Sequence, residues 1–345
     1  MLKTHGQVVR IKSIINEADH ISITAHRNPD GDALGSSLGL YWYLKRKGKK
    51  VSLIYPSEYP DSFSWMPGID KALIYDNDPE ESIEAYTAAQ VKFCLDFNTI
   101  DRIDHLGKAL MDQEDKGTVI MVDHHLDPGD FPDITISEPG ASSTAELIFH
   151  LIDALDDVAE IDSVIADCLF TGLITDTGSF RHATSARLYR VAGELKALGA
   201  DDYRIQDLIN NSLKEQQLRL IGHCLYNRME ILQDIGAGII YLSREDYQRY
   251  NIQRGDTEGI VNYMLMIRDV KVSVFVMEQP NIVKLSFRSK GDISVQDIAR
   301  KHFKGGGHKN ASGGSSYFPL NATLEKLKSV LYSSLSSQLS IHEKQ

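Results

Sequence analysis

Through the first half of the chain, apolar runs of strand length alternate with segments of helical period. Residues 21–25, 51–55, 91–95 and 119–122 read as strands, with a weaker one at 134–136. Between them, 35–47 and 100–112 read as amphipathic helices. This alternation predicts an α/β fold: a mostly parallel five-stranded sheet with helices on both faces. Helical period then dominates at 142–155, 161–175 and 186–198, followed by a charge-rich helix near 213–231. The second half is patterned differently. Strand candidates at 238–242, 272–277 and 282–287 are interleaved with helices near 257–266 and 294–302. Glu278-Gln279-Pro280-Asn281 joins two of these strands and predicts a hairpin. A strand near 314–318 and a helix at 322–339 complete a smaller C-terminal α/β domain.

The 345 residues exceed the usual span of a single core, so two domains are expected. The pattern places the first at 1–200, a helical linker at 201–231 and the second at 232–340. No apolar stretch reaches the ~18 residues needed to span a bilayer. Residues 1–16 show no signal-peptide core. Cys94, Cys168 and Cys224 lie far apart among apolar neighbours, as buried reduced thiols of a cytoplasmic protein would. A net charge of −11 argues against coating long nucleic acid by charge alone. Between Lys284 and Lys309, however, seven Lys/Arg face only two acids, a local balance that suits a small anionic ligand.

Candidate chemistry collects where strands end. The first strand runs into His26-Arg27-Asn28-Pro29-Asp30-Gly31-Asp32, which is turn chemistry that also carries an imidazole and two carboxylates. Asp96 follows the third strand, and Asp123-His124-His125 follows the fourth. In open parallel sheets, ligands bind beyond the carboxyl ends of the strands. A further segment, Thr175-Asp176-Thr177-Gly178-Ser179-Phe180-Arg181, places Asp176 and Arg181 after an apolar helix. Hard oxygen donors with imidazole suit Mn²⁺ or Mg²⁺ better than structural zinc, which more often recruits Cys. Seven candidate side chains, His26, Asp30, Asp32, Asp96, His124, His125 and Asp176, are enough for a two-metal site of the kind that cleaves phosphate esters.

His26-x-x-x-Asp30-x-Asp32, Asp96, Asp123-His124-His125 and Asp176 together resemble the four motifs of the DHH phosphoesterase superfamily. The resemblance implies one ion on His26, Asp30 and Asp96, and a second on Asp32, Asp96, His124 and Asp176, with Asp96 bridging. It also implies that His125 touches the substrate phosphate and Asp123 supports the pair. Arg181 is a candidate for stabilising charge that develops on phosphorus. Farther along, Ser286–Lys290 and Gly305–Gly314 resemble the DHHA1 domain that accompanies DHH domains in bacterial nanoRNases. There Arg288 and Lys290, with Gly306, Gly307, His308 and Lys309, form a glycine-rich basic segment. Glycine lets backbone N–H groups approach an anion, and Arg can grip phosphate with two parallel hydrogen bonds.

The resemblance covers nearly the whole chain and implies a hydrolase of phosphoester bonds with two divalent ions, most readily Mn²⁺, with Mg²⁺ or Co²⁺ also suitable. Short oligoribonucleotides would be cut to mononucleotides, and 3′-phosphoadenosine 5′-phosphate (pAp) would lose its 3′-phosphate, through a hydroxide activated between the ions. Hydrolysis of linear or cyclic dinucleotides (pApA, cyclic di-AMP) is the main alternative reading. An inorganic polyphosphatase and a non-catalytic nucleotide sensor stand behind it. No membrane and no stable complex with long nucleic acid are expected, and a homodimer remains open.

Overall fold

In the computed structural model, residues 6–112, 116–211, 213–253 and 255–342 are described, with side chains as far as residue 335. The first five residues of the expected first domain, and of the segment read for a signal peptide, lie outside them. The chain divides after residue 212 into two compact units.

In chain order the first unit comprises α1 (Gly6–Glu17), β1 (His20–Ala25), α2 (Gly31–Arg46), β2 (Lys50–Tyr55), β3 (Leu73–Ile74) and α3 (Pro79–Thr87). It continues through β4 (Val91–Leu95), α4 (Asp104–Met111), β5 (Thr118–Asp123), β6 (Ile134–Ser137), α5 (Thr144–Ala154), α6 (Ser163–Asp176), α7 (Ala186–Ala197) and α8 (Asp202–Asn210). The sheet has six strands in the order β3-β2-β1-β4-β5-β6, all parallel. The strand beyond the expected five is β3, two residues that leave no readable run. Strand order reverses between β1 and β4, which opens a crevice beyond their carboxyl ends. Side chains of β4 and β5 alternate between two cores. Phe93, Leu95, Ile120 and Val122 pack with residues of α1, α2, α5, α6 and α7. Cys94, Val119 and Met121 pack with Tyr86 of α3 and Leu106 and Leu110 of α4.

Helix α2 begins four residues before the sequence pattern suggests. Asp30 caps it, with Oδ1 accepting the N–H groups of Asp32 (3.0 Å) and Ala33 (3.1 Å). Asp32 therefore belongs to the first helical turn. The predicted helix 100–112 opens as a 3-10 turn, Ile100–Ile103, before α4. Gly31, Gly35 and Gly39, spaced one turn apart, line the face of α2 that meets α6. A Cβ on Gly35 would lie 2.5 Å from the Cys168 carbonyl oxygen and 2.7 Å from the Gly172 nitrogen. The two helices run antiparallel and close enough to touch backbones. The amino end of α2 and the carboxyl end of α6 thus meet, bringing Asp30 and Asp32 toward Asp176.

The second unit comprises α9 (Glu215–Asn227), β7 (Met229–Leu232), β8 (Ala237–Leu242), α10 (Arg244–Arg249), α11 (Ile260–Tyr263), β9 (Val272–Glu278) and β10 (Val283–Ser289). α12 (Val295–His302), β11 (Gly306–His308), β12 (Ala311–Ser316) and α13 (Leu320–His342) complete it. Its sheet, in the order β11-β12-β10-β9-β8-β7, is antiparallel except for the β8–β9 pair. Strands β9 and β10 form the expected hairpin. The division between units falls inside the expected linker 201–231. Ile205 of α8 is buried in the first unit, and Leu220 and Cys224 of α9 in the second. Helix α9 stops at Asn227 because the chain then turns into the edge strand β7. The glycine-rich segment is a hairpin of β11 and β12 turning at Lys309-Asn310, and the last strand starts at Ala311 rather than 314. Strands made of Gly and Ser carry no apolar alternation to read.

Gly35→Ala should lower stability by about 1–3 kcal/mol, the usual cost of overpacking. Urea denaturation measures it. An unchanged midpoint would show that α2 and α6 can part without cost.

Candidate metal centre and phosphate-binding surface

Three adjacent strands deliver the predicted residues to one edge of the first sheet: His26 after β1, Asp96 after β4, and Asp123, His124 and His125 at the end of β5. Local chemistry fixes each turn. The backbone N–H of Arg27 donates to the Arg102 carbonyl (2.8 Å). Its guanidinium forms two hydrogen bonds with Asp76. Asp96 adopts a left-handed backbone (φ 63°), a conformation Asp tolerates, and its N–H donates to the Val122 carbonyl (3.1 Å). Asp176 is the last residue of α6, and a left-handed turn through Gly178, Ser179 and Phe180 follows.

The side chains form donor groups whose ligand atoms lie within 4.8 Å of one another: His26, Asp30 and Asp96; Asp32, His124 and Asp176; and Asp96, His124 and His125. Asp96 connects them. Its Oδ2 lies 3.5 Å from His26 Nε2 and its Oδ1 3.5 Å from His124 Nε2. His124 Nε2 also lies 3.3 Å from Asp176 Oδ2. Asp123 is fully buried behind the cluster. Its Oδ1 accepts a hydrogen bond from His125 Nδ1 (2.7 Å), which orients the ring.

One contributor was not foreseen from the sequence: the amino terminus of α5. Asp32 Oδ2 accepts from Thr144 N (2.6 Å) and Oδ1 from Ala145 N (2.9 Å), while the Thr144 hydroxyl donates to Asp96 Oδ1 (2.9 Å). The signal was present in Ser143-Thr144-Ala145-Glu146, a capping-box pattern that marks a helix start. Gly172 leaves room for this contact, since a Cβ there would lie 2.7 Å from Asp32 Oδ1.

The electrostatics call for cations. Among the described residues, Asp30, Asp32, Asp96 and Asp176 form no ion pair with lysine or arginine. Burial, with Asp96, Asp176 and Asp30 nearby, pushes the Asp32 carboxyl well above the usual carboxylate range. Burial and the charges of Asp30 and Asp176 do the same to Asp96. Asp176 is pushed up to about 7 by burial and by Asp30. Burial and His125 lower His124, favouring the neutral imidazole that can ligate. An acid-rich set of oxygen and imidazole donors without thiolate, buried at His26, Asp32 and Asp96 and exposed at Asp30, fits divalent Mn or Mg. The buried Asp123 Oδ2 has no hydrogen-bond partner. Arg181 does not join the set: its side chain is exposed and makes no hydrogen bond or ion pair among the described residues.

In the second unit, strand pairing aligns two cross-strand rows on one sheet face: Arg288, Ala311 and His308, then Ser286, Gly313 and Gly306. The opposite face carries Leu285 and Phe287 into the core with α12 and α13. The first face thus presents a strip of nearly bare backbone beside Arg288 and His308. Arg288 is half-buried, donates Nη1 to the Phe287 carbonyl (2.9 Å), and has its pKa lowered by burial. Lys309 pairs with Asp292 (2.8 Å), and Lys290 donates to the Ile267 carbonyl (3.3 Å). The glycines divide by role. Gly307 (φ 133°) is required by the hairpin, where a Cβ would lie 2.7 Å from the Ala311 carbonyl. A Cβ on Gly306 would meet nothing, so packing does not explain the absence of a side chain there.

A doubly wound sheet ending in clustered His and Asp, followed by a unit that offers an arginine and bare backbone, defines a two-domain phosphoesterase. Residues 20–173 match the DHH family, N-terminal domain, and residues 236–333 match the DHHA1 domain. The chain is 31% identical to a bifunctional oligoribonuclease and PAP phosphatase NrnA of Thermus thermophilus, over 85% of this chain and 83% of that protein. It is 29% identical to the cyclic-di-AMP phosphodiesterase PdeA of Listeria monocytogenes, over 86% of this chain and 45% of that longer protein. Among solved structures, an exopolyphosphatase-related protein from Bacteroides fragilis superposes with a TM-score of 0.92 at 38% identity, covering 94% of this chain and 95% of that one. The chain belongs to the DHH phosphoesterase family, metal-dependent hydrolases of phosphoester bonds, and carries the DHHA1 domain. No helix among the described residues is long and apolar enough to cross a membrane.

Without ions, Asp32, Asp96 and Asp176 bind protons more tightly in the folded state than in the unfolded chain. The stability this gives is fully present below about pH 4 and is lost as pH rises, through about 7 for Asp176 and through the raised values of the other two. The thermal midpoint of chelator-treated protein should therefore fall between about pH 5 and pH 8, and Mn²⁺ should raise it most at pH 8. Glu146 and Asp246, held at about 2 by hydrogen bonds against burial, act only in a more acidic window. A metal-free midpoint that rises across this range would contradict the assignment.

Proposed function

We propose that the chain hydrolyses short oligoribonucleotides to mononucleotides and removes the 3′-phosphate of pAp, using two divalent ions, Mn²⁺ by preference. The observation that carries this reading is the pair of donor groups joined through the two oxygens of Asp96. His26, Asp30 and Asp96 would hold one ion, and Asp32, His124 and Asp176 the other, with Asp96 shared. When bound, such a pair supplies charge neutralisation on the phosphoryl oxygens and lowers the pKa of a water. Asp123 accepts from His125 Nδ1, which would assign Nε2 to touch the substrate phosphate or give a proton to the leaving oxygen. Arg288 and His308 would grip the phosphate or nucleotide that is not being cut, with the backbone at Gly306 and Gly307 close to it. Gripping an end favours short substrates, and the overall charge of −11 disfavours long ones.

Similarity to NrnA supports the substrate class. Similarity to cyclic-di-AMP phosphodiesterases favours a second reading, in which pApA or the cyclic dinucleotide is the better substrate. A cytoplasmic setting agrees with three buried free cysteines.

Rates on labelled diribonucleotide, pAp, pApA, cyclic di-AMP and polyphosphate, measured side by side with Mn²⁺, separate the readings. The diribonucleotide and pAp should turn over fastest; dominant release of phosphate from polyphosphate would contradict the proposal. Asp96→Asn should lower turnover by more than about 100-fold, beyond the range for outer-shell metal partners. Arg288→Ala should raise KM for pAp by roughly 10–100-fold with kcat nearly kept, the value of a hydrogen bond to a charged group. An unchanged KM would remove Arg288 from the substrate site.

A further inference from the structure

We propose that Thr144 is a positioning residue that fixes the spacing of the two ions; the proposal rests on the reading that the cluster holds two. Its backbone N–H holds Asp32, from the group with His124 and Asp176. Its hydroxyl holds Asp96, from the group with His26 and Asp30. One residue therefore ties a ligand of each group to the same helical turn.

The hydroxyl also decides how Asp96 is turned. Oδ1 takes the Thr144 hydrogen bond and faces His124, which leaves Oδ2 to face His26. Without that bond the carboxylate is free to rotate about its terminal torsion, which is broad for Asp. Asp32 is differently secured. Both its oxygens accept backbone N–H groups, so a change of the Thr144 side chain leaves them in place.

The turn that carries Thr144 is itself braced from behind. Ser143 Oγ accepts the Glu146 N–H (3.1 Å). Glu146 is fully buried, and its Oε2 accepts both the N–H and the hydroxyl of Ser142 (2.7 Å each). Its Oε1 accepts from Arg187 Nε of α7 (2.5 Å), and Arg187 Nη2 donates to the Gly140 carbonyl (3.0 Å). The buried ion pair thus locks the loop before α5 and the first turn of α5 into one piece. Arg187 acts through its bonds to Glu146 and the Gly140 carbonyl, so its effect on the metal centre runs through this loop and turn.

Thr144→Val keeps the volume and the backbone N–H and removes only the hydroxyl; Thr144→Ser restores it. Mn²⁺ binding by calorimetry and the electron paramagnetic resonance spectrum of the bound ions report on the centre independently of turnover. Wild type should bind two ions with a spin-coupled spectrum. Thr144→Val should bind the pair about 10–100-fold more weakly, with altered coupling, and Thr144→Ser should match wild type. Wild-type affinity and spectrum in Thr144→Val would overturn the proposal while leaving the two-ion reading intact. Fewer than two ions on the wild-type chain would overturn both. If Thr144→Val does not fold, Arg187→Gln loosens the same turn without touching a ligand. It should weaken Mn²⁺ binding by a smaller factor, and unchanged binding there would count against the proposal equally.

Discussion

Four carboxylates converge at the head of the first sheet with no lysine or arginine among the described residues to neutralise them, and the surrounding structure is arranged around that crowding. Like charges in a buried space repel strongly unless protons or cations intervene. The protein offers only neutral help: N–H groups from the start of α5, one hydroxyl, and N–H groups from the start of α2. Two helix amino termini thus point their partial positive charge at the cluster. That is enough to orient carboxylates but not to cancel them. Divalent cations would complete the balance, and the same crowded burial that raises the pKa of Asp32, Asp96 and Asp176 favours such ions.

Close helix contact makes this convergence geometrically feasible. Gly31, Gly35 and Gly39 let α2 lie against α6 at backbone distance, so that residues 144 positions apart in the chain, Asp32 and Asp176, face the same imidazole. Larger residues along that seam would separate the two ends that supply the second donor group. The reversal of strand order between β1 and β4 does the corresponding work for His26 and Asp96. In the second unit, glycine serves both packing and access. Gly307 permits the hairpin, and Gly306 leaves backbone open on the face shared with Arg288 and His308.

Much of this was legible in the sequence because it follows from period and from residue type at strand ends. The five longer strands of the first sheet, the β9–β10 hairpin and every member of the two main donor groups could be read directly. Other features were not legible for physical reasons. Leu73–Ile74 is too short to show a period, and β11 and β12 are Gly and Ser rich, so β11 left no strand signal and β12 was expected to start only near 314. The division between units falls inside the expected linker, between two helices that bury apolar residues in different cores. Thr144 and Ala145 reach Asp32 through backbone N–H groups and Asp96 through one hydroxyl, and it is tertiary packing, which a capping pattern does not encode, that brings them there. Arg181 was chosen for its charge and neighbourhood, and it stands exposed without a partner in the first unit.

Anomalous diffraction from crystals soaked in Mn²⁺ tests the central claim most directly. Two peaks about 3.5–4 Å apart are expected, one within bonding distance of His26, Asp30 and Asp96, the other of Asp32, His124 and Asp176, with an oxygen of Asp96 on each. A single peak, or two peaks held by other residues, would contradict the account.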